Sequence, residues 1–184
     1  MYEDINHDGV INKYDIVYLG NTQPLVTGGG GVTVKYKQVS LSAFFHGRFG
    51  QSIVNMARMN NESMYGSSNQ SKAVLRRWKN EGDNTDIPRA LYNEGRNYLG
   101  SDRFVEKASF VRLKSMTLSY GFPRKICNKF NVNSLSVFVT GYNLFTWTNY
   151  TGQDPEVSVK DNLAIDTATT PVSKRFSFGL NMSF

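Results

Sequence analysis

The stretch DINHDGVINKYD, residues 4–15, spaces its oxygen-bearing residues in the way that a calcium loop of EF-hand type spaces its ligands. The hard Ca²⁺ ion prefers about six to eight oxygen ligands, which alternate residues of such a loop direct inward. Gly9 at loop position 6 allows the sharp turn that this arrangement needs. The sequence therefore predicts a calcium site whose ligands, at loop positions 1, 3, 5, 7 (through its carbonyl) and 12, are Asp4, Asn6, Asp8, Val10 and Asp15.

This loop departs from the EF-hand pattern at its last ligand. Asp15 replaces the usual Glu, and its shorter side chain reaches an ion less well with both oxygens, which weakens binding. The alternative interpretation is an Asx-rich turn that only caps the segment after it.

No other group of residues is predicted to carry chemistry. His46 and Arg48 alternate with apolar neighbours, and no nucleophile or second histidine lies near them in the sequence, so they are expected to line a wet interior. Asp154 and Glu156 flank a proline, so their carboxylates are expected to point apart and to serve loop structure. The chain is therefore not expected to be an enzyme.

The elements that would position these residues are strands. RFSFGLNMSF, residues 175–184, alternates large apolar residues with small or polar ones, as a strand with one greasy and one wet face does. A soluble sandwich and a membrane barrel both produce this alternation, although ten residues match the roughly 9 to 11 of a tilted membrane strand.

Four more stretches have strand-like patterns. Residues 31–37 and 39–50 nearly touch and predict a hairpin with a very tight turn. Residues 109–122 change parity near Ser115, which predicts a bulge. Residues 134–147 place two aromatic residues, Phe138 and Tyr142, on the side that should be polar.

The connections between these strands alternate in length. The tight turn near Lys37 is followed by a long connection at 51–108, a short one at 123–133 and a long one at 148–173. Membrane barrels have short turns at one end and long loops at the other, whereas a soluble sandwich has no reason to separate them. The greasy faces are therefore expected to contact lipid.

Composition excludes several classes of protein. Mean hydropathy is −0.40 and no apolar run approaches 20 residues, which excludes a helical membrane protein. The net charge of +6 comes without a nucleic-acid recognition motif, so no nucleic-acid partner is expected. The single cysteine, Cys127, excludes an internal disulfide framework.

About five strands are too few to close a membrane barrel, since bacterial barrels have about eight or more. No signal peptide follows Met1, although an outer-membrane protein needs one. Both observations predict that the chain is the C-terminal piece of a longer protein: an all-β, partial antiparallel transmembrane β-barrel. Residues 1–29 are expected to form an extracellular loop segment with the calcium loop, and residues 30–184 the strands and their long loops.

Four stretches, in this order, resemble the C-terminal part of the SusC/RagA-type TonB-dependent outer-membrane transporters: DINHDGVINKYDIVYLGNTQP, SDRFVEKASFVRLKSMTLSYGFP, GYNLFTWTNYTGQDPE and RFSFGLNMSF. The resemblance runs from near Asp4 to Phe184, with only residues 51–100 unremarkable. It implies a 22-stranded barrel with an N-terminal plug in the cell outer membrane. It also implies import of oligosaccharides or peptides with a SusD-like surface lipoprotein, energised by TonB through a part of the protein upstream of this chain.

The alternative function is a secreted, calcium-stabilised, all-β carbohydrate-binding module. In that case residues 4–15 would be half of a dockerin-like calcium site. A dockerin needs two such loops on helices, and the sequence contains one. A reading frame that continues upstream through hundreds of residues of alternating strands would decide between the two.

Overall fold

A computed structural model describes residues 3–94, 100–160 and 162–184. Its strands, in chain order, are β1 (Val26–Tyr36), β2 (Val39–Phe49), β3 (Ser52–Asn55), β4 (Val105–Lys107), β5 (Phe110–Gly121), β6 (Ser134–Thr148), β7 (Val159–Lys160), β8 (Leu163–Asp166) and β9 (Arg175–Ser183). Its helices are α1 (Met56–Asn61) and α2 (Arg124–Lys129), and short 3-10 helices cover Lys13–Asp15, Lys72–Arg76 and Asp102–Phe104. Within the described ranges, no helix has the length and apolar character to cross a membrane.

The chain divides into two compact units. The sheet unit consists of Pro24–Gly50, Ala108–Asn149 and Pro171–Phe184. The loop unit consists of Met1–Gln23, Gln51–Lys107 and Tyr150–Thr170.

The sheet unit contains one five-stranded antiparallel sheet in the order β1-β2-β5-β6-β9. All five predicted strands are present, and the all-β prediction is confirmed. β1 begins at Val26, earlier than the predicted start, so residues 26–29 lie in this strand. The reason is that the run Gly28–Gly31 pairs with β2 despite the weak strand preference of glycine.

Two details of the predicted strands are also confirmed. β1 and β2 are joined by a two-residue turn at 37–38, where Lys37 has a φ of 53°. β5 shifts register between Leu113 and Ser115, which is the expected bulge. The short connection between β5 and β6 contains α2, whose Cys127 is buried.

The two long connections are not featureless loops. They contain β3, β4, β7, β8 and α1, and within the loop unit β3 pairs with β4 and β8. Sequence periodicity did not show these elements because strands of two to four residues are too short to display a period.

Candidate functional site

The sheet has two chemically different faces. Because side chains alternate along a strand, residues in register form rows across the sheet. One row crossing all five strands is entirely apolar and consists of Val34, Leu41, Leu118, Val139 and Phe178. The next row, on the opposite face, consists entirely of hydroxyl residues: Thr33, Ser42, Thr117, Thr140 and Ser177.

The apolar face is exposed in the chain by itself. The alternation along residues 39–50 and 175–184 predicts seven large apolar side chains on the lipid-contacting face, and six of them are exposed: Val39, Leu41, Phe176, Phe178, Leu180 and Met182. The seventh, Phe45, is half-buried because its ring lies 6.3 Å from that of Trp147. Phe178 and Leu180 keep 80% and 58% of their surface, which in water would be an unusually large apolar patch.

Aromatic side chains mark both ends of this apolar face. Phe145 and Trp147 stack at the end near the long connections, with ring centroids 6.1 Å apart. Tyr36 and Tyr120 lie in one row at the end near the tight turn, both in register with Val39. Aromatic belts of this kind occur where a membrane barrel meets the two headgroup layers.

The polar face carries hydrogen-bonded hydroxyl pairs. Thr33 and Ser42 lie 2.9 Å apart across β1 and β2, and Thr117 and Thr140 lie 2.8 Å apart across β5 and β6. In the second pair Thr140 is buried, so this bond satisfies a hydroxyl group with little access to water, whereas Thr33 is exposed.

Glycines explain the aromatic residues on the polar face. Gly179 faces Phe138 across the strand pair, and a β-carbon on Gly179 would overlap the Phe138 ring. Gly29 is in the same situation, because a β-carbon there would lie 2.9 Å from the Phe44 ring. Each ring therefore lies over a neighbouring strand instead of standing free in the interior.

His46 and Arg48 lie on the polar face, as expected, on the same side of β2 as Ser42. Sequence reasoning missed Arg112, which pairs in register with His46 and keeps only 1% of its surface. Its Nε donates to Thr146 Oγ1 at 2.9 Å, and its guanidinium stacks 5.4 Å from the centre of the Phe110 ring. In the sequence Arg112 is a single arginine between two apolar residues, and this pattern does not distinguish a buried arginine from an exposed one.

The loop unit is built around ion pairs. Glu62 is buried and pairs with Arg58 at 3.1 Å and with Arg103. Arg58 also reaches Glu106 at 3.3 Å. Burial disfavours the charged form of Glu106, but hydrogen bonds from Thr151, Asn55 and Arg58 outweigh burial and lower the pKa of its carboxyl.

A cavity of about 550 Å³ opens beside these ion pairs. Its lining is mostly polar and includes Asn55, Arg58, Glu62, Arg76, Thr151, Gln153 and Asp166. Asp166 is buried and accepts a hydrogen bond from the Tyr150 hydroxyl at 2.7 Å, and burial together with this bond raises the pKa of Tyr150. These acids and bases hold one another in place.

Asp154 and Glu156 form a local turn, in which the Glu156 amide donates to Asp154 Oδ1 at 2.8 Å. This is the loop role that the sequence predicted for them.

Side chains of the predicted calcium loop, residues 4–15, accept hydrogen bonds from the backbone amides of the same loop. Asp4 accepts hydrogen bonds from the amides of Asp8 and Gly9, and Gly9 has a φ of +82°. Asp15 accepts from Asn12 and Ile5, which lowers the pKa of its carboxyl and joins the end of the loop to its beginning.

The remaining predicted ligands also bond within the loop. Asp8 Oδ1 accepts from the Val10 amide at 2.8 Å, and Asn6 Oδ1 accepts from the Asp8 amide at 3.0 Å. Sequence reasoning missed Asn12, whose side chain donates to the Val10 carbonyl at 3.0 Å. Among the described residues, no three His, Cys, Asp or Glu side chains converge as a metal site.

The chain is similar to known receptors over its whole length. TonB-dependent receptor P3 of Formosa agariphila is 29% identical over 192 residues, and P26 of the same organism is 30% identical over 190 residues. Both matches cover 100% of this chain and 19% of the relative, so the chain spans about a fifth of these receptors. No protein-family model matches the chain.

Solved structures give the same result. The RagAB peptide transporter is 29% identical with a TM-score of 0.76, and RagAB in its closed-closed state is 28% identical with a TM-score of 0.74. Each match covers 89% of this chain and 18% of the solved chain. The relatives are receptors and importers of the outer membrane, not enzymes. The predicted resemblance of this chain to part of a SusC/RagA-type TonB-dependent receptor is therefore confirmed.

Proposed function

We propose that this chain forms five C-terminal strands of a closed transmembrane barrel of about 22 strands, a size found among plugged outer-membrane transporters. The main support is a pair of adjacent rows of side chains across all five strands, one entirely apolar and the other entirely hydroxyl-bearing. In the proposed barrel the apolar face contacts lipid and the polar face lines the lumen. The unpaired edges of β1 and β9 then pair with strands from the rest of the protein.

The complete protein would import oligosaccharides or peptides. Its partners would be a SusD-like surface lipoprotein and TonB, which would act through a part of the protein upstream of this chain. The similarity to a structure described as a peptide importer supports peptides as the cargo. The alternative of a secreted carbohydrate-binding module has no support among these relatives.

The lengths of the connections support an orientation. The turn at 37–38 and the connection containing α2 lie at one end of the sheet, and the connections that build the loop unit leave the other end. Since barrels of this class have short periplasmic turns, the loop unit would be extracellular, where a surface lipoprotein could close over it.

Two neighbouring positions on β9 test the lipid-facing assignment in the full-length protein. Leu180 lies on the apolar face and Asn181 on the polar face, and both are exposed. Arginine on the lipid face costs roughly 2 to 4 kcal/mol at the bilayer midplane and less toward the headgroups, so Leu180→Arg should lower the outer-membrane yield of folded barrel below that of Asn181→Arg. The measurement is the heat-modifiable band in outer-membrane fractions. Equal yields of the two variants would refute the assignment.

Calcium binding by residues 4–15 is a second proposal. The carboxylate and amide oxygens of this loop suit calcium, and Asp15 already holds its two ends together. The side chains of Asp4 and Asp8 would have to turn from backbone amides toward the ion. Affinity should be modest, on the order of 10⁻⁴ to 10⁻³ M, as in extracellular calcium modules.

Calorimetry on the full-length protein tests this proposal. Asp8→Ala removes one anionic ligand and should abolish the calcium heat without changing barrel assembly. Asp83→Ala is the matched control, because Asp83 also accepts backbone hydrogen bonds in an exposed turn but lies outside the loop. No heat in the unmodified protein, or equal heat in it and in Asp8→Ala, would leave the loop as an ordinary turn.

A further inference from the structure

One end of the sheet carries a group of exposed cations, here called the basic end: Lys37, Arg124, Lys125 and Lys129. Lys37 lies in the turn between β1 and β2, and the other three lie on α2 between β5 and β6. The Gly121 amide donates to the Gln38 carbonyl at 2.8 Å, which holds these two connections side by side. The four charges are therefore presented together.

The sheet unit offers these cations no carboxylate side chain. It contains ten of the chain's Lys and Arg residues and none of its 15 Asp and Glu residues. A surface with charge of one sign attracts ions of the other, most strongly where an apolar region adjoins it. The basic end thus suits an anionic ligand.

The apolar face reaches the basic end through a tyrosine row. Tyr36 is 71% exposed, and the Lys37 ammonium lies 5.4 Å from the centre of its ring. This contact places one of the charges on the apolar side of the sheet. Tyr120 belongs to the same row and makes an edge-on contact with Phe122, with ring centroids 5.2 Å apart. Aromatic rings beside Lys and Arg are typical of the level where lipid headgroups lie.

We propose that the basic end binds the phosphate headgroups of anionic glycerophospholipids, whose acyl chains lie along the apolar face beyond the tyrosine row. The inference rests on the proposed lipid-facing role of that face. A lipid fits better than free phosphate because the exposed tyrosines and the aliphatic rows beside them provide contacts for the acyl chains.

The test compares two lipids with identical acyl chains on the full-length protein in a neutral detergent. Phosphatidylglycerol and phosphatidylcholine compete, and native mass spectrometry counts the bound molecules of each. The test variant is Lys37→Gln/Arg124→Gln/Lys125→Gln. The matched control, Lys72→Gln/Lys79→Gln/Lys160→Gln, removes three exposed lysines from the loop unit.

The unmodified protein and the control should prefer phosphatidylglycerol, and the test variant should lose the preference. A cation near a headgroup contributes roughly a fivefold gain in affinity, so neutralising three should lower phosphatidylglycerol affinity by at least tenfold. The loss should shrink in high salt, because exposed charges are screened.

Several outcomes would overturn the inference. These are equal retention of the two lipids by the unmodified protein, an equal loss in the control variant, complete competition by inorganic phosphate, and preference for lipopolysaccharide over phosphatidylglycerol. If Leu180→Arg impairs assembly but no lipid preference is found, only this inference fails. If Leu180→Arg and Asn181→Arg assemble equally and neither lipid binds, the lipid-facing role fails with it.

Discussion

The two units of this chain use charge in opposite ways. The sheet unit contains ten Lys and Arg residues without one Asp or Glu, whereas the loop unit contains all 15 acidic residues of the chain. The sheet is held by continuous backbone ladders and by rows of like side chains. The loop unit has strands of two to four residues and depends on buried carboxylates held by arginines.

This difference follows from how each unit satisfies the hydrogen-bonding groups of its backbone. A long strand satisfies its own backbone polar groups by pairing and leaves its side chains free to suit the medium on each face. Irregular segments leave more polar groups without regular partners, so their side chains must supply the hydrogen bonds. The described part of the loop unit does this at Glu106, which accepts from the amide and hydroxyl of Thr151.

The largest expected effect is loss of the buried carboxylate of the loop unit. Glu62→Gln leaves Arg58 and Arg103 without the charge that both contact. The loop unit should lose roughly 3 kcal/mol, at the low end for breaking a buried ion pair because both arginines remain partly exposed. Hydrogen exchange in the full-length protein should quicken in the loop unit but not in β5 and β6.

Glu81→Gln is the control for this substitution, because Glu81 is exposed. Its exchange should match that of the unmodified protein. If Glu62→Gln instead loosened β5 and β6 as much as the loop unit, the two units would not be stabilised independently.

A smaller effect is expected from filling a glycine site in the sheet. Gly179→Ala places a methyl group where the Phe138 ring lies, so the ring must swing away from β9. The barrel should lose about 1 kcal/mol, and its heat-modifiability midpoint should fall. Gly28→Ala, where no atom lies within 4 Å of the added carbon, should shift the midpoint much less. Equal shifts would mean that strand propensity, and not the Phe138 contact, decides the effect.

The smallest effect concerns acid. The folded loop unit lowers the pKa of the Glu106 carboxyl, so the carboxylate contributes stability above its unfolded pKa. That contribution is lost as pH falls through the lowered value, below the ordinary range near 4.5. Exchange in β4 should therefore quicken at acid pH before exchange in β6, since the sheet unit has no carboxylate side chain to protonate.

Glu106→Gln should remove part of this acid sensitivity. Near pH 7, the exchange rate of β4 in this variant reports the loss of the ion pair between Glu106 and Arg58. An unchanged acid profile in this variant would assign the effect to other carboxylates of the loop unit.

The sequence by itself determined the sheet. Alternation along 39–50 and 175–184 located strands, the parity change near Ser115 located a bulge, and the alternating connection lengths separated the two ends. These features are readable because a strand of nine or more residues repeats one local rule many times. The quoted stretches also predicted the resemblance to TonB-dependent receptors, which the relatives confirm.

Only the tertiary structure decided the rest. The start of β1 at Val26 depends on its pairing with β2, because glycines carry no strand signal of their own. The positions of Phe138 and Arg112 depend on the facing Gly179 and Thr146, which lie far away in sequence. Two ion pairs of the loop unit, Arg58–Glu106 and Arg103–Glu62, join residues more than 40 positions apart, and no local pattern encodes such contacts. These partners are set by packing between residues far apart in the chain, which cannot be read from a single sequence.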